Sequence, residues 1–582
     1  AYEIGVRRVG SEMCIRDRYI GVAGLVSLTS CSDFLDHLPD NRIDPQNPKQ
    51  LQLMLVDGYV NYDYATMCEL SSDNMVDNHA PDANGVTYEA TGSNDPILDQ
   101  FFAWEDANMS SKQDSPTAVW QGCYHAIAVA NHALKKIEEF KAAGKFTTGE
   151  DADRLNAAYG EALLVRAYHH FILVNLFSKQ YGKNSATDQG VPYSTEPEDK
   201  VQVAYERGTV AQVYDKIEAD LIEGLKYVND QYYSVLRYHF NTTAANAFAA
   251  RFYLFKRDYV KAEQYATAAL GSNPAEKMRK DYWSTSFTSL DSDATTFYSS
   301  SSSSNFLLIP TNSIAFISMC NNYYAAGARY ACNRGAATST LYGYGPCWNT
   351  NFLPTMAQHL YVNSKQEYGM WPSWMKMLFE YTDKVAGIGY PKRIRAEFTG
   401  EETLLTRAEA RIFMGKIDEA VSDLNIWAQS HDTDASHPLT QLTSKVIKNW
   451  YKKENATSNG QDPRAYILQD LNIEQVCEPA PGNTSYTLDD NKLPYLWCVL
   501  HFRRIDQVFT GTRWFDIKRF GIEITHQIGR TRTEVLKLDD DRRAFQIPTE
   551  AIQAGLTPTP RAVKGITESA MTKANLNLSI VR

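Results

Sequence analysis

The 582-residue chain is poor in the features that announce chemistry. Its nine cysteines include no CxxC pair, which excludes the common zinc frameworks. Apart from Cys14 and Cys31 they are Cys68, Cys123, Cys320, Cys332, Cys347, Cys477 and Cys498, an odd and widely spaced set that is no disulfide scaffold. It leaves room for one bridge among Cys320, Cys332 and Cys347 outside the cytoplasm. Positive charge does not prevail: the net charge is −11 and no basic stripe occurs, which argues against a nucleic-acid partner. No apolar run reaches the about 20 residues that a membrane-spanning helix needs. GxSxG, P-loop, HExxH and GxGxxG motifs are all missing. Carboxylates are plentiful, but no spacing selects a glycosidase pair about 5–10 Å apart, so the chain reads as no enzyme, with no catalytic residue, metal or cofactor.

What is present begins with Tyr19–Pro39. Its apolar run, Ile20 to Leu28, is short and rich in Gly and Ser, and fits the h-region of a secretory signal. Leu28-Thr29-Ser30-Cys31 then has the form of a bacterial lipobox, which makes Cys31 the expected lipidated first residue. A signal n-region should be short and positive, whereas residues 1–18 mix acids with bases and read as a foreign segment, with the true start lost. Residues 19–30 are then signal and lipobox, 31–50 a polar tether, and 51–582 the body.

The body carries helical periodicity. Residues 51–70 read as one helix that delivers the chain to an Asp/Asn/Gly-rich loop. Trp120, Tyr124, Ile127, Asn131, Leu134 and Ile137 share a face of a second. Asn156–Gly182 reads as a third, stopped at Tyr181-Gly182. The alanine-rich stretch 241–270, with its KRDY turn, matches a tetratricopeptide helix pair, and 404–428 repeats that logic around Gly415-Lys416. Alanines let two helices approach, and aromatics and leucines fill the groove. The helix-pair scaffold spans about 118–271 and 401–430, a loop-rich insertion about 273–400, and a C-terminal segment about 495–560. FLLIP, inside the insertion, is strand-like. His169-His170, Arg166, Arg407 and the group Arg513, Trp514, Asp516, Lys518 and Arg519 read as scaffold, and Asp539-Asp540-Asp541 as a solvated turn.

In order, SCSDFLD, the W-x3-Y-x2-I-x3-N helix at Trp120, GEALLVRAYHHFILVNLF, LLTRAEARIFMGKIDEAVSDLN, GTRWFDIKRFG and FQIPTEAI resemble the SusD/RagB family of outer-membrane nutrient-binding lipoproteins from Cys31 to about Pro560. The resemblance implies a mostly α single domain, with about four tetratricopeptide-like helix pairs, long loop insertions and minor β. It implies a lipid anchor in the outer membrane at the cell surface, a SusC-like TonB-dependent transporter as partner, and a glycan or sometimes a peptide as ligand.

A sugar ring is captured by an aromatic face under its C–H side and by polar side chains around its hydroxyl rim. Two loop regions offer both. One holds Asp73, Asn74, Asp77, Asn78 and Trp104; the other holds Tyr323, Tyr324, Arg329, Tyr330, Tyr342, Tyr344 and Trp348. Trp371 and Trp374 are further candidates.

Overall fold

The computed structural model describes residues 44–59, 62–81, 85, 87–88, 90, 95–197, 205–320, 328–338, 343–348, 360–362, 369–432, 438–453 and 464–561. The expected signal, the expected lipobox with Cys31 and most of the expected tether lie outside these residues. Local capping chemistry sets out the helices. α1 (Pro48–Leu55) starts on Asn47, α2 (Ala65–Leu70) follows Tyr64, and α3 (Pro96–Phe102) starts on Asp95. α4 (Pro116–Ala142) begins with the Ser115 hydroxyl accepting from the Ala118 N–H, and Pro116 supplies a preset first turn. α5 (Gly149–Phe177) and α6 (Val210–Tyr227) follow, α6 with a full capping box between Thr209 and Gln212.

α7 (Thr242–Lys256) and α8 (Tyr259–Leu270) are joined at the KRDY turn, where Arg257 adopts φ 64° and Asp258 caps the second helix. α9 (Gly400–Phe413) and α10 (Ile417–Ser430) reverse at Gly415, whose φ of 78° favours glycine. α11 (Leu493–Asp506) and α12 (Thr512–Phe520) complete the set described here. In the scaffold α5 packs on both α4 and α6, α7 on α8, α8 on α9, and α9 on α10 and α11. The architecture is mostly α with minor β, as expected.

Two helix boundaries differ from expectation. The helix predicted over 51–70 is broken, because a 3-10 turn at Val56–Gly58 ends α1 and the Asp63 carboxylate accepts from the Ala65 N–H to start α2. The helix predicted to run to Tyr181 stops at Phe177. There the Arg207 guanidinium takes the Phe177 carbonyl at 3.0 Å, and the Lys518 ammonium takes those of Asn175 and Ser178 at 2.5 and 2.7 Å. Cations on the last carbonyls do the work that a C-terminal glycine does elsewhere. Asp540, read as part of a solvated turn, is buried and chelates Arg542. Every described cysteine is unbridged, Cys320, Cys332 and Cys347 among them.

The strands are few. β1 (Val76–Asp77) pairs with β3 (Tyr330–Ala331), and β2 (Asn305–Asn312), which contains FLLIP, pairs with β7 (Ile388–Thr399). β4 (Leu360–Val362) pairs with β5 (Met370–Pro372), and β6 (Leu378–Asp383) with β7, so β7 is the centre of a three-stranded sheet. β8 (Ile524–Ile528) and β9 (Arg532–Leu536) form a hairpin.

Guanidinium–carboxylate pairs hold these layers in register. Arg166 on α5 grips Asp220 on α6 through two bonds of 2.7 Å and reaches Asn131 on α4 at 3.0 Å. Arg251 on α7 binds Glu402 on α9 at 2.6 and 2.7 Å and Glu397 on β7 at 2.6 Å. Arg407 on α9 binds Asp423 on α10, and Arg503 on α11 joins Glu409 on α9 to Asp516 on α12. Arg513, Trp514, Asp516 and Lys518 are all buried, the scaffold role read for them.

His169 and His170 lie inside α5 and are buried. Burial pulls the imidazolium form down, to about 4 for His169 and about 3 for His170. His170 is satisfied as a neutral ring: Nδ1–H donates to the Arg166 carbonyl, and Nε2 accepts from the Ser194 N–H. In the unfolded chain both titrate near about 6.5. Below that pH the unfolded state binds protons that the folded state refuses, so stability is present above about 6.5 and is lost as pH falls toward about 4. The expected loss is on the order of a few kcal/mol per histidine. Urea unfolding at pH 7 and pH 4.5 checks it: His169→Gln/His170→Gln should flatten the dependence, and an unchanged slope would refute this assignment.

Candidate functional site

The fold joins the two loop regions singled out in the sequence. β1 and β3 pair antiparallel, with Val76 opposite Ala331 and Asp77 opposite Tyr330. The Asn78 N–H donates to the Arg329 carbonyl at 2.8 Å, and its side-chain amide donates to the Ala328 carbonyl at 2.8 Å while accepting from Asn333 at 3.1 Å. The Asp77 carboxylate receives Arg329 Nη2 at 3.0 Å, the Gly529 N–H at 2.9 Å and the His79 N–H at 2.9 Å. Arg329 continues to Asp99 at 2.9 Å, and the Tyr330 hydroxyl donates to the same carboxylate at 2.5 Å.

Asp73 and Asn74 face inward. Asp73 accepts from Arg513 at 2.8 and 2.9 Å and from Gln469 at 2.8 Å, with Arg504 at 3.4 Å. Burial opposes its charge, but Arg504 and Arg513 override that and hold the carboxyl well below the usual carboxylate range. Asn74 accepts from Arg504 at 2.8 Å and donates to Glu69 at 2.9 Å. These four polar residues, Asp73, Asn74, Asp77 and Asn78, form the internal lacing of the loop face.

The tryptophans are likewise occupied. Trp104 holds a φ of 54°, is 2% exposed, and donates its indole N–H to the Ser71 carbonyl at 2.9 Å. It stacks on His526 at 4.3 Å, His526 on Phe102 at 4.0 Å, and Phe102 on Tyr330 at 4.5 Å. Arg329 caps one end of this column at 5.0 Å from Tyr330, and Arg542 caps the other at 5.6 Å from Trp104. Trp348 is buried against His501 and Phe502 and donates to the Gly343 carbonyl at 3.0 Å. A Cβ at Gly345 would fall 2.0 Å from that indole, so only glycine fits beneath it. Trp371 is buried, and Trp374 stacks on Phe297 at 4.6 Å. Among the described aromatic candidates Tyr344 is exposed, at 45%. Tyr323, Tyr324 and Tyr342 lie outside the described residues.

The groups at the rim of this node are charged. Asp99 keeps 43% of its side-chain surface exposed and Arg329 23%, beside the partly exposed pair Arg532–Glu105. Asp99, Glu105, Arg532 and His526 carry no motif and become a cluster only through chain folding. A cavity between β7, α7 and α11, lined by Arg251, Arg279, Arg393, Arg395, Glu397 and Trp374, measures about 40 Å³. At roughly 10–15 Å³ per water it has room for about three waters.

A second surface feature escaped the sequence reading. Among the described residues sixteen large apolar side chains are exposed, and six of them, Leu378, Phe379, Tyr381, Val385, Ile388 and Tyr390, fall in the β6–β7 hairpin. All six residues of β6 are exposed, and β6 is the edge of its sheet. LFEYTD does not alternate strictly, and nothing in it marks a strand exposed on both faces. Among the described residues no group of three or more His, Cys, Asp or Glu could hold a metal, and no helix is long and apolar enough to cross a membrane.

Stacked helix pairs backing a face of long loops, with minor β, define a SusD-like fold, and solved structures bear this out. A SusD superfamily protein of Bacteroides vulgatus shares 18% identity at a TM-score of 0.58, over 88% of this chain and 99% of its own. One from Bacteroides thetaiotaomicron shares 17% at 0.55, over 88% and 100%. A laminarin-binding SusD-like protein shares 15% at 0.50, over 88% and 98%. No curated protein matches the chain by sequence. Residues 33–254 match a SusD-like family model described as starch-binding and associating with the outer membrane.

The geometry separates scaffold rings from surface rings. Trp348→Ala should cost about 3–5 kcal/mol, as for a buried aromatic, whereas Tyr344→Ala should stay within about 0.5 kcal/mol. Denaturant midpoints measure both, and equal effects would contradict the burial difference.

Proposed function

We propose that this protein captures a glycan at the cell surface and passes it to a TonB-dependent outer-membrane transporter, holding it without chemistry. The observation that carries the reading is the convergence of the 73–78 and 328–333 loops on one rigid node, whose rim presents Asp99, Arg329, Glu105 and Arg532. Carboxylates and guanidinia that are partly exposed and already oriented suit the hydroxyl rim of a saccharide. The family description of starch binding at the outer membrane, and the laminarin-binding relative that shares the fold, support a carbohydrate over a peptide. Tyr344, which is exposed, offers an aromatic face.

The anchor in this reading is Cys31, whose acyl chains would each contribute about 0.8 kcal/mol per buried CH₂. The β6–β7 hairpin supports a protein partner, since a contiguous exposed apolar surface of this kind marks an interaction site. The glycan rim and this hairpin are distinct, which suits a binder that must hold cargo and carrier together.

A panel of glycans and peptides tests the cargo. Saturable binding of a glycan without turnover is expected, and peptide binding with silence across all glycans would overturn the reading. Cys31→Ala should release the protein from the outer membrane and leave glycan affinity unchanged.

The partner surface is tested separately. Phe379→Ser/Tyr381→Ser should weaken co-purification with the transporter at least tenfold while sparing stability and glycan affinity. Undiminished co-purification would remove the hairpin from the interface.

A further inference from the structure

His526 sits at the centre of the aromatic column with an unusual set of partners. Its Nδ1 lies 2.7 Å from the Phe102 carbonyl oxygen, and its Nε2 lies 3.0 Å from the Ser72 carbonyl oxygen. Both partners are acceptors only. A neutral imidazole has one donor and one acceptor nitrogen, so it can serve one carbonyl and must turn a lone pair on the other; only the doubly protonated ring donates to both. Flipping the ring would place carbons at these hydrogen-bond distances and is no escape. His170 makes the contrast, with one carbonyl acceptor and one N–H donor around a neutral ring.

We propose that His526 is held as an imidazolium at neutral pH and works as a pH-sensitive clamp, tying the turn after α2 to the end of α3 beneath the candidate ligand face. Both carbonyls stand at or just beyond helix C-termini, where oxygens have no intrahelical partner. Both faces of the ring lie on aromatic rings, Phe102 at 4.0 Å and Trp104 at 4.3 Å, the arrangement that favours a cation. The acids around it are Glu534, directly opposite on β9, Asp73 beyond Ser72, Asp77 on β1 and Asp99 on α3. The cations are Arg542 on the far side of Trp104, Arg329 on the far side of Tyr330, and Arg532 on β9. Arg329 answers Asp77 and Asp99, while Arg542 and Arg532 answer Glu534.

Burial opposes this charge and pulls the group below an ordinary histidine, against the smaller lift from the two carbonyls, Asp73 and Glu534. The geometry decides in favour of the charged form, because the neutral form adds a buried repulsion between a lone pair and a carbonyl at 2.7 or 3.0 Å. The consequence for pH has the opposite sign to that of His169 and His170. A folded-state pKa above the unfolded value of about 6.5 gives stability that is complete below that pH and lost as pH rises through the folded pKa.

The test is nitrogen NMR on the full chain with labelled histidine, with His526→Gln identifying the resonance. Should that variant fail to fold, Trp104→Phe, which changes the ring current over the imidazole, identifies the same signal. Both ring nitrogens should carry protons at pH 7.5 and lose one only at more alkaline pH. A neutral tautomer at pH 7.5 would overturn the charge assignment. Amide protection at Asn74, Asp77 and Trp104, corrected for intrinsic exchange, should fall across the same titration; constant protection would overturn the clamp.

Discussion

Everything in this structure depends on keeping buried charge paired. Arg251, Arg279, Arg393 and Arg395 stand within one polar interior with Glu397, Glu401, Glu402 and Asp63, and each of these guanidinia has a carboxylate in reach. An isolated charge taken from water costs far more than any one helix contributes, so removing one partner is more damaging than never having built the pair. Most of the pairs run between elements far apart in sequence, α7 to α9, α7 to β7 and α11 to α9, and one joins the consecutive helices α11 and α12. The helical pairs therefore cannot slide relative to the sheet without exposing an unmatched charge, and that register fixes where the loops emerge. Hydrophobic packing supplies most of the driving force, and the ion pairs select one arrangement of it.

The helical scaffold was legible because its signals are local. Alanine spacing, the Arg257-Asp258 reversal and the Gly415 turn are each contained within a few residues. The two misplaced boundaries have different causes. The end of α5 is decided by Lys518 and Arg207, which arrive from far along the chain, and the break before α2 by Asp63 turning back on its own backbone. No periodicity records a distant ammonium that ends a helix by satisfying its last carbonyls.

The loop face was legible in composition and obscure in orientation. Asp77, Asn78, Arg329 and Tyr330 were chosen as ligand-contact types and do lie together, but their hydrogen-bonding capacity is directed largely inward. The same chemistry that lets a side chain hold a sugar hydroxyl lets it hold a loop, and sequence cannot say which is in reach. Trp104 and Trp348 show the same ambiguity for rings: each donates its N–H to a backbone carbonyl and packs against other rings. The groups that reach solvent, Asp99, Glu105 and Arg532, sit in ordinary sequence and gain meaning only from one another.

A binding face built from long loops has a difficulty that this arrangement resolves. Loops that select among similar ligands must be rigid, since each group ordered on binding subtracts from affinity, yet loops offer little hydrophobic core to make them so. Here rigidity is imported: Arg513 and Arg504 from the C-terminal helices fix Asp73, the tip of the β8–β9 hairpin fixes Asp77, and the Tyr330–Phe102–His526–Trp104 column runs beneath. Arg504, Arg513, Gly529 and His526 all come from the last part of the chain, whereas the 73–78 loop they support comes from the first part. The face therefore cannot be complete until the C-terminal segment has folded onto the scaffold, which ties the order of the candidate ligand face to the integrity of the whole body.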